Sequence, residues 1–436
     1  MAQIKPFRAI RYASSAQASF RKVLAPPYDV ISPAQKKELK KSDALNVIRL
    51  IIGNPSHKKH GPADYVSARK HFDTWQKSGA LKRDDAPSIY VYQQVFKIDG
   101  KIYQRAGFVG LSQLTPFGGK KGGILAHEHT LSGPKADRLK LMKASHANLS
   151  CIFSLYPDQK GVGDLLKKVT QRKPDVSVAY PKDILNKIWK VSDPKWIAQL
   201  QAKMKDETLF IADGHHRYET ALAYQAFREK GKKGKLGSRP FDHVMMMFVA
   251  MKDPGLVILP THRMLPRKFS ASPSLLLSRL SSLGEIHPYA KALSGSGPWN
   301  WLTQLGKKQP TIGFSFDGKK LFALQFSTAV KNSDLLKDIS TAQKGLDVTL
   351  LHRLILEPFF GITKEKVEHE ISFTSKAEDA VQRLKTKDFG LVFFLNPTRI
   401  GQLREVAMKQ ERMPQKSTYF YPKLVTGLVF NHLDSF

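Results

Sequence analysis

A single cysteine in 436 residues, Cys151, excludes an internal disulfide, and such sparing use of the thiol suits a reducing compartment. It lies in the apolar run 149–153 and reads as a small buried hydrophobe. Long hydrophobic runs are missing too: the longest candidates, such as 243–251, are strand-sized rather than membrane-spanning. The first residues lack the charged-then-apolar layout of a secretory signal. The expectation is a cytoplasmic protein with no membrane partner. Also absent are a G-x-G-x-x-G fingerprint, a protein-kinase catalytic loop, a G-x-S-x-G elbow, a cysteine metal cluster and the His-Glu-x-x-His spacing of zinc proteases. Several large enzyme classes are thereby disfavoured.

Acidic residues are scarce. Against 70 Lys and Arg stand 37 Asp and Glu, a net charge of +33, which favours encounters with anions. Basic doublets such as Lys36-Lys37, Lys167-Lys168 and Lys319-Lys320 are spread along the whole chain. A nucleic-acid binder concentrates such charge in one stripe or tail, so nucleic acid is the less favoured partner.

What is present is a folded composition, 42% hydrophobic and 10% aromatic, in a chain long enough for two or three domains. Strand and helix patterns alternate. Tyr65, Ala68, Phe72 and Trp75 mark a helix within 62–79. Asp99-Gly100 and Asp317-Gly318 each predict a hairpin. The fold class expected is mixed α/β (α+β), in four parts. These are an N-terminal part, 1–157; a core, 158–264; a small α/β insertion, 265–345; and a C-terminal part, 346–436, completing the core.

The densest chemistry lies in the strand–turn–helix segment 208–222. An apolar strand reaches Asp213-Gly214, and a helix starts with His215, His216 and Arg217. Glycine lets a ligand approach the backbone, the first helical turn offers amides and a positive dipole end, and Arg217 adds a forked donor. Three cationic or titratable groups oppose that dipole unless an anion compensates them, which argues for a phosphate-binding turn. A plain Asp213 cap is the bland alternative.

A second constellation, His127-Glu128-His129, follows a glycine-rich loop containing Lys120. Glu128 suits a general base, and His127 and His129 would share one face of a strand as metal ligands. Tyr28 and Asp29 on a proline turn, Asp137-Arg138, His262-Arg263, and Lys416, Ser417, Thr418 and Lys423 between prolines complete the candidates. For each of these a structural role competes evenly with a site role.

Together LAPPYDV (24–30), HEHT (127–130) with DRL (137–139), DGHHRYETA (213–221), LPTHR (259–263), LDVTLLH (346–352) and MPQKSTYFYPK (413–423) resemble a widespread bacterial and archaeal family, DUF1015, that carries only a domain-of-unknown-function label. Its members are described as similar to the ParB, sulfiredoxin and free-serine-kinase superfamily, in which a Gly-x-His-Arg-like turn binds nucleotide phosphates. Gly214, His215, His216 and Arg217 match that turn residue by residue. The resemblance implies a ParB/sulfiredoxin-like nucleotide-binding core. It places no catalytic carboxylate.

Three readings follow. The first is a nucleotide-dependent phosphotransferase acting on a small hydroxylated metabolite, an amino acid such as serine leading, with Mg²⁺ and ATP or ADP, CTP being the alternative. The 214–217 turn holds phosphates, Glu128, Asp29 or Asp213 serves the chemistry, and Lys120 or Lys416 neutralises charge. The second is a ParB-like nucleotide-binding regulator contacting nucleic acid. The third is a metal-dependent hydrolase using the histidines.

Overall fold

Asp99 and Gly100 both adopt left-handed φ values, 47° and 82°, and turn one strand, Ile89–Ile98, back onto the next, Lys101–Gln113. That hairpin is the centre of the largest sheet among the described residues of the computed structural model, which describes residues 3–13, 20–53, 65–118, 123–130, 132–229, 236–269, 272–386 and 388–436. The chain divides into two units. Unit 1 comprises Met1–Ala126, Thr130–Val257 and Pro422–Phe436, and unit 2 comprises His127–His129 and Ile258–Tyr421.

The sheet of unit 1 contains β1 (Ile4–Lys5), β2 (Ile89–Ile98), β3 (Lys101–Gln113), β4 (Ile124–Leu125), β5 (Ile152–Tyr156), β6 (Val176–Ala179), β7 (Leu185–Val191), β8 (Leu209–Asp213) and β9 (His243–Ala250). Their order is β4-β8-β5-β9-β3-β2-β7-β6, with β1 added on β3. Pairing is parallel at β4–β8 and β5–β9 and antiparallel at the other joins. β9 is buried at every position, as a near-continuous apolar run demands. Helix α1 (Val66–Lys77) buries Ala68, Phe72 and Trp75, as their spacing predicts. Helices α2 (Ser132–Ser145), α3 (Val162–Thr170), α4 (Pro194–Met204) and α5 (His215–Glu229) add Met142, Leu166, Leu200 and Tyr218 to the strands' core. Each large apolar side chain so buried contributes about 1.5–3 kcal/mol.

Unit 2 carries a second sheet of β10 (His262–Pro266), β11 (Gly284–Pro288), β12 (Thr311–Ser315), β13 (Phe322–Phe326), β14 (Ser372–Thr374) and β15 (Phe389–Leu395), in the order β11-β13-β12-β15-β10-β14 and antiparallel throughout. The expected hairpin at Asp317-Gly318 joins β12 to β13, with Gly318 at φ 68°. The boundaries differ from the four parts read in the sequence. Segment 265–345 is no free-standing insertion, because β12 pairs with β15 from beyond it. Of the C-terminal part, Pro422–Phe436 alone belongs to unit 1. Strand partnership over such separations leaves no local signature.

Asp347 in unit 2 yields a pH prediction. Its carboxylate accepts from the Thr311 amide and from Asn396 Nδ2, each at 3.1 Å. Burial holds it up at about 7, and the bonds from Asn396 and Thr311 offset only part of that. Between roughly pH 4 and 7 the unfolded chain ionises this group first, so its stabilising share falls as pH rises through that window. Asp347→Asn should therefore gain on the wild type, by up to roughly 3 kcal/mol in urea unfolding, between pH 5 and 8. A pH-independent difference would show that this carboxyl does not titrate there.

Candidate functional site

β8 ends in an irregularity. Ile211 faces Ser154, yet Asp213 faces Phe153, so one residue of β8 is extra. Such bulges re-aim the side chain that follows. Gly214 then takes φ 91°, and the first rung of α5 runs from the Tyr218 amide to the Gly214 carbonyl at 3.0 Å. The amides ahead of that rung lie at the helix's positive end. Tyr218 fixes the helix entry. Its buried hydroxyl donates to the Thr115 carbonyl at 2.7 Å and accepts from the Thr115 amide at 3.1 Å.

Arg217 folds back over Gly214. Its Nη2 donates to Asp213 Oδ2 at 2.6 Å and its Nη1 to the Cys151 carbonyl. The other carboxylate oxygen of Asp213 accepts from Lys423 Nζ. Burial would raise the Asp213 carboxyl, but Lys423 and Arg217 overcome it and hold the group well below the usual carboxylate range. Asp213 is thus held as a carboxylate shared by two cations. A carboxylate so paired is a poor proton acceptor, which weighs against the catalytic role expected for it. The three side chains leave one positive charge at a helix N-terminus, a setting for an anion.

Other expected residues gather in the same unit. Arg138 lies 4.1 Å from the centre of the Tyr28 ring. It donates to the Ile51 carbonyl at 2.8 Å, to the Tyr65 hydroxyl at 2.6 Å and to Asp137 Oδ2 at 2.5 Å. Tyr65 in turn donates to Asp137 Oδ1 at 2.9 Å. Burial, reinforced by Asp29, pushes the Tyr28 phenol up to about 12 against the pull of Arg138 and Arg217. Asp29 itself is exposed. Arg138 and Arg217 line one small cavity together with Asn148, Ser150 and Thr220. Cys151 is half-buried rather than buried, and desolvation pushes its thiol up to about 12.

The remaining candidates lie in unit 2. Residues 127–129 form no strand; Glu128 bridges to Met413, and the Met413 amide donates to the His127 carbonyl at 2.7 Å. The two histidines expected to act together take different partners. His127 Nε2 meets Thr418 Oγ1 at 3.1 Å, whereas His129 Nε2 meets Lys364 Nζ at 3.2 Å. Glu128 Oε1 accepts from the Lys416 amide at 3.2 Å. Ser417 is tied to the carbonyl of Pro414, and its own carbonyl accepts from Thr398. Arg263 is buried and donates to the carbonyls of Thr261, Gln415 and Lys416. Burial lowers its guanidinium to about 9. His262 is lowered to about 3 by burial and then by Arg263, and its Nδ1 accepts from the Leu395 amide at 3.2 Å. Both side chains are engaged with backbone of unit 2. Among the described residues no group of three or more His, Cys, Asp or Glu side chains is arranged to hold a metal ion. Lys120 lies outside the described residues. No helix among the described residues is long and apolar enough to cross a membrane.

Sequence reasoning missed Tyr65 as a site residue, reading it as helix core, and missed the Cys151 carbonyl, a backbone atom with no sequence signal. Glu219 was also passed over, although it accepts from Thr130 at 2.7 Å and from Lys135 at 2.8 Å. Its place one turn along from His215 and His216 was the available clue.

The family described as "Protein of unknown function (DUF1015)" matches residues 4–399. No curated protein matches the chain. Among solved structures, a conserved hypothetical protein from Pyrococcus furiosus is similar at 12% identity, with 72% of this chain and 94% of that one covered and a TM-score of 0.34. A free serine kinase in complex with AMP is similar at 11% identity over 70% and 88% of the two chains, with a TM-score of 0.35. SbnI with a C-terminal truncation, from Staphylococcus aureus, is similar at 11% identity over 70% and 83%, with a TM-score of 0.34. Overlaps this loose carry no argument about chemistry.

Proposed function

This chain belongs to the DUF1015 family, and from the chemistry of its 213–217 turn we propose a nucleotide-dependent phosphotransferase acting on a small hydroxylated metabolite, built on a ParB/sulfiredoxin-like core. The observation that carries this reading is the charge balance at the turn. Arg217 and Lys423 share one carboxylate, Asp213, at the positive end of α5. Gly214 has no side chain to block a phosphate, and Arg138 lines the same cavity as Arg217. In this reading Gly214, His215, His216 and Arg217 hold the phosphates, with Tyr28 beside them.

Asp29 is the favoured base for the acceptor hydroxyl. It is exposed in the same unit as the turn, whereas Glu128 Oε1 already takes the Lys416 amide in unit 2. The donor set suits Mg²⁺ only as an ion carried on the nucleotide, since both oxygens of Asp213 are taken. The phosphate charge left over by the side chains would be neutralised by that ion. A nucleic-acid-binding regulator is the second reading, resting on the +33 charge.

Calorimetry with ATP, ADP, AMP and CTP plus Mg²⁺, at two salt concentrations, tests the proposal. One nucleotide should bind selectively, and Arg217→Ala should weaken it at least about tenfold, the scale of one charge-assisted contact. The variant should still fold, because Asp213 keeps Lys423. If no nucleotide binds, or Arg217→Ala binds equally well, the phosphotransferase reading fails. Salt-sensitive binding to any duplex DNA instead would favour the regulator.

A further inference from the structure

The motif 346–352 plays no part in the phosphate site, yet it contains the most unusual helix in unit 2. Asp347–Leu351 is α-helical, His352–Leu356 continues as π-helix, and Glu357–Phe360 returns to α. Single π turns gather at functional sites. Thr349 and His352, three residues apart, are 2% and 8% exposed. Neither Thr349 Oγ1 nor His352 Nε2 has a hydrogen-bond partner among the described residues. A buried helical threonine would ordinarily return its hydroxyl to the carbonyl one turn back. Each such orphan costs about 1–3 kcal/mol and calls for a reason.

Both side chains line a cleft that lies wholly within unit 2. Its lining is balanced in charge: Arg353, Lys364 and Arg412 against Asp338, Glu357 and Glu365. Arg353 is already neutralised by Asp338 at 2.6 Å, so little net field selects an ion. Burial, then Arg263, lowers His352 well below an ordinary histidine and keeps it neutral. Ile362 and Val367 add apolar wall.

We infer that this cleft binds a neutral polyhydroxylated molecule, a sugar or polyol, whose hydroxyls satisfy Thr349 Oγ1 and His352 Nε2. A hydroxyl both donates and accepts, so one ligand class serves the two neutral orphans, the carboxylates and the guanidinium groups. C–H faces of the ligand pack on Ile362 and Val367. The inference does not depend on the nucleotide reading, because every residue it uses lies in unit 2 and outside the turn.

Titration calorimetry of the full chain with glucose, ribose, myo-inositol and glycerol, beside acetate and succinate as charged controls without hydroxyls, tests it. At least one neutral compound should bind with a Kd below about 10 mM, at least tenfold tighter than either control. Thr349→Val should weaken that binding at least tenfold while raising the unliganded Tm, because an unsatisfied buried hydroxyl has been removed. His352→Gln, which keeps a hydrogen-bonding group, should retain more of the binding than His352→Leu. The inference is overturned if none of the four neutral compounds binds or a control binds as well. It is equally overturned if Thr349→Val leaves affinity unchanged or lowers the Tm.

Discussion

Asp213→Asn is expected to destabilise unit 1 by about 3–5 kcal/mol, the range for removing one partner from a buried ion pair. The reason is the two-to-one arrangement: without the carboxylate's charge, Arg217 and Lys423 lose the anion they share at the helix N-terminus. Arg217→Ala or Lys423→Met each leaves a one-to-one pair and should cost clearly less. The carboxyl's depression gives the pH dependence its sign. A carboxylate held low in the folded state stabilises above the unfolded value and loses that contribution as pH falls. The wild-type advantage over Asp213→Asn in urea unfolding should therefore be full at pH 7 and shrink progressively below about pH 5. An advantage that stays constant down to pH 3 would remove the carboxylate from the account. Lys423 sits in the returning segment Pro422–Phe436, where Arg105 also takes the Pro422 carbonyl at 2.5 Å. Amide exchange in that segment should rise in Asp213→Asn before the rest of unit 1 loosens.

Gly214→Ala should cost about 2–3 kcal/mol and abolish measurable nucleotide binding. Two causes add. At φ 91° any L side chain is strained. A Cβ there would also lie 2.8–3.0 Å from Nε, Cζ and Nη2 of Arg217. A guanidinium group is normally the compliant end of its side chain, but this one is held by Asp213 and the Cys151 carbonyl. Gly100→Ala is the matched control: φ is 82° there and nothing lies within 4 Å of the added methyl. It should show the backbone component alone, about 1 kcal/mol, with nucleotide binding intact. Equal losses in the two variants would mean that the Arg217 contact contributes nothing.

Much of this protein follows from local sequence. Asp-Gly pairs place both hairpins: Asp99 and Gly100 accept two left-handed φ values in succession, and Gly318 supplies one at the second turn. Apolar spacing places Phe72 and Trp75 inward on α1 and Tyr218 and Ala221 inward on α5. The strand–Asp-Gly–helix start of 208–222 was legible for the same reason, since turn chemistry and the first helical rung span only a few residues. The charge of the chain and its lone cysteine follow from composition alone.

The tertiary structure decided the partners. Reading 213–217 as an open anion site gave Arg217 a free guanidinium. The fold turns it inward onto Asp213 and Cys151, and recruits Lys423 from 210 residues away. Tyr28 and Arg138 were separate candidates until the fold set them 4.1 Å apart, whereas His127 and His129, adjacent by pattern, take different partners. Three strands of the second sheet, β11, β12 and β13, were read as a separate insertion because β12 finds β15 only through long-range pairing. Local sequence sets dihedral preference and which face is apolar; ion pairs, strand neighbours and orphaned polar groups depend on what the rest of the chain brings beside them.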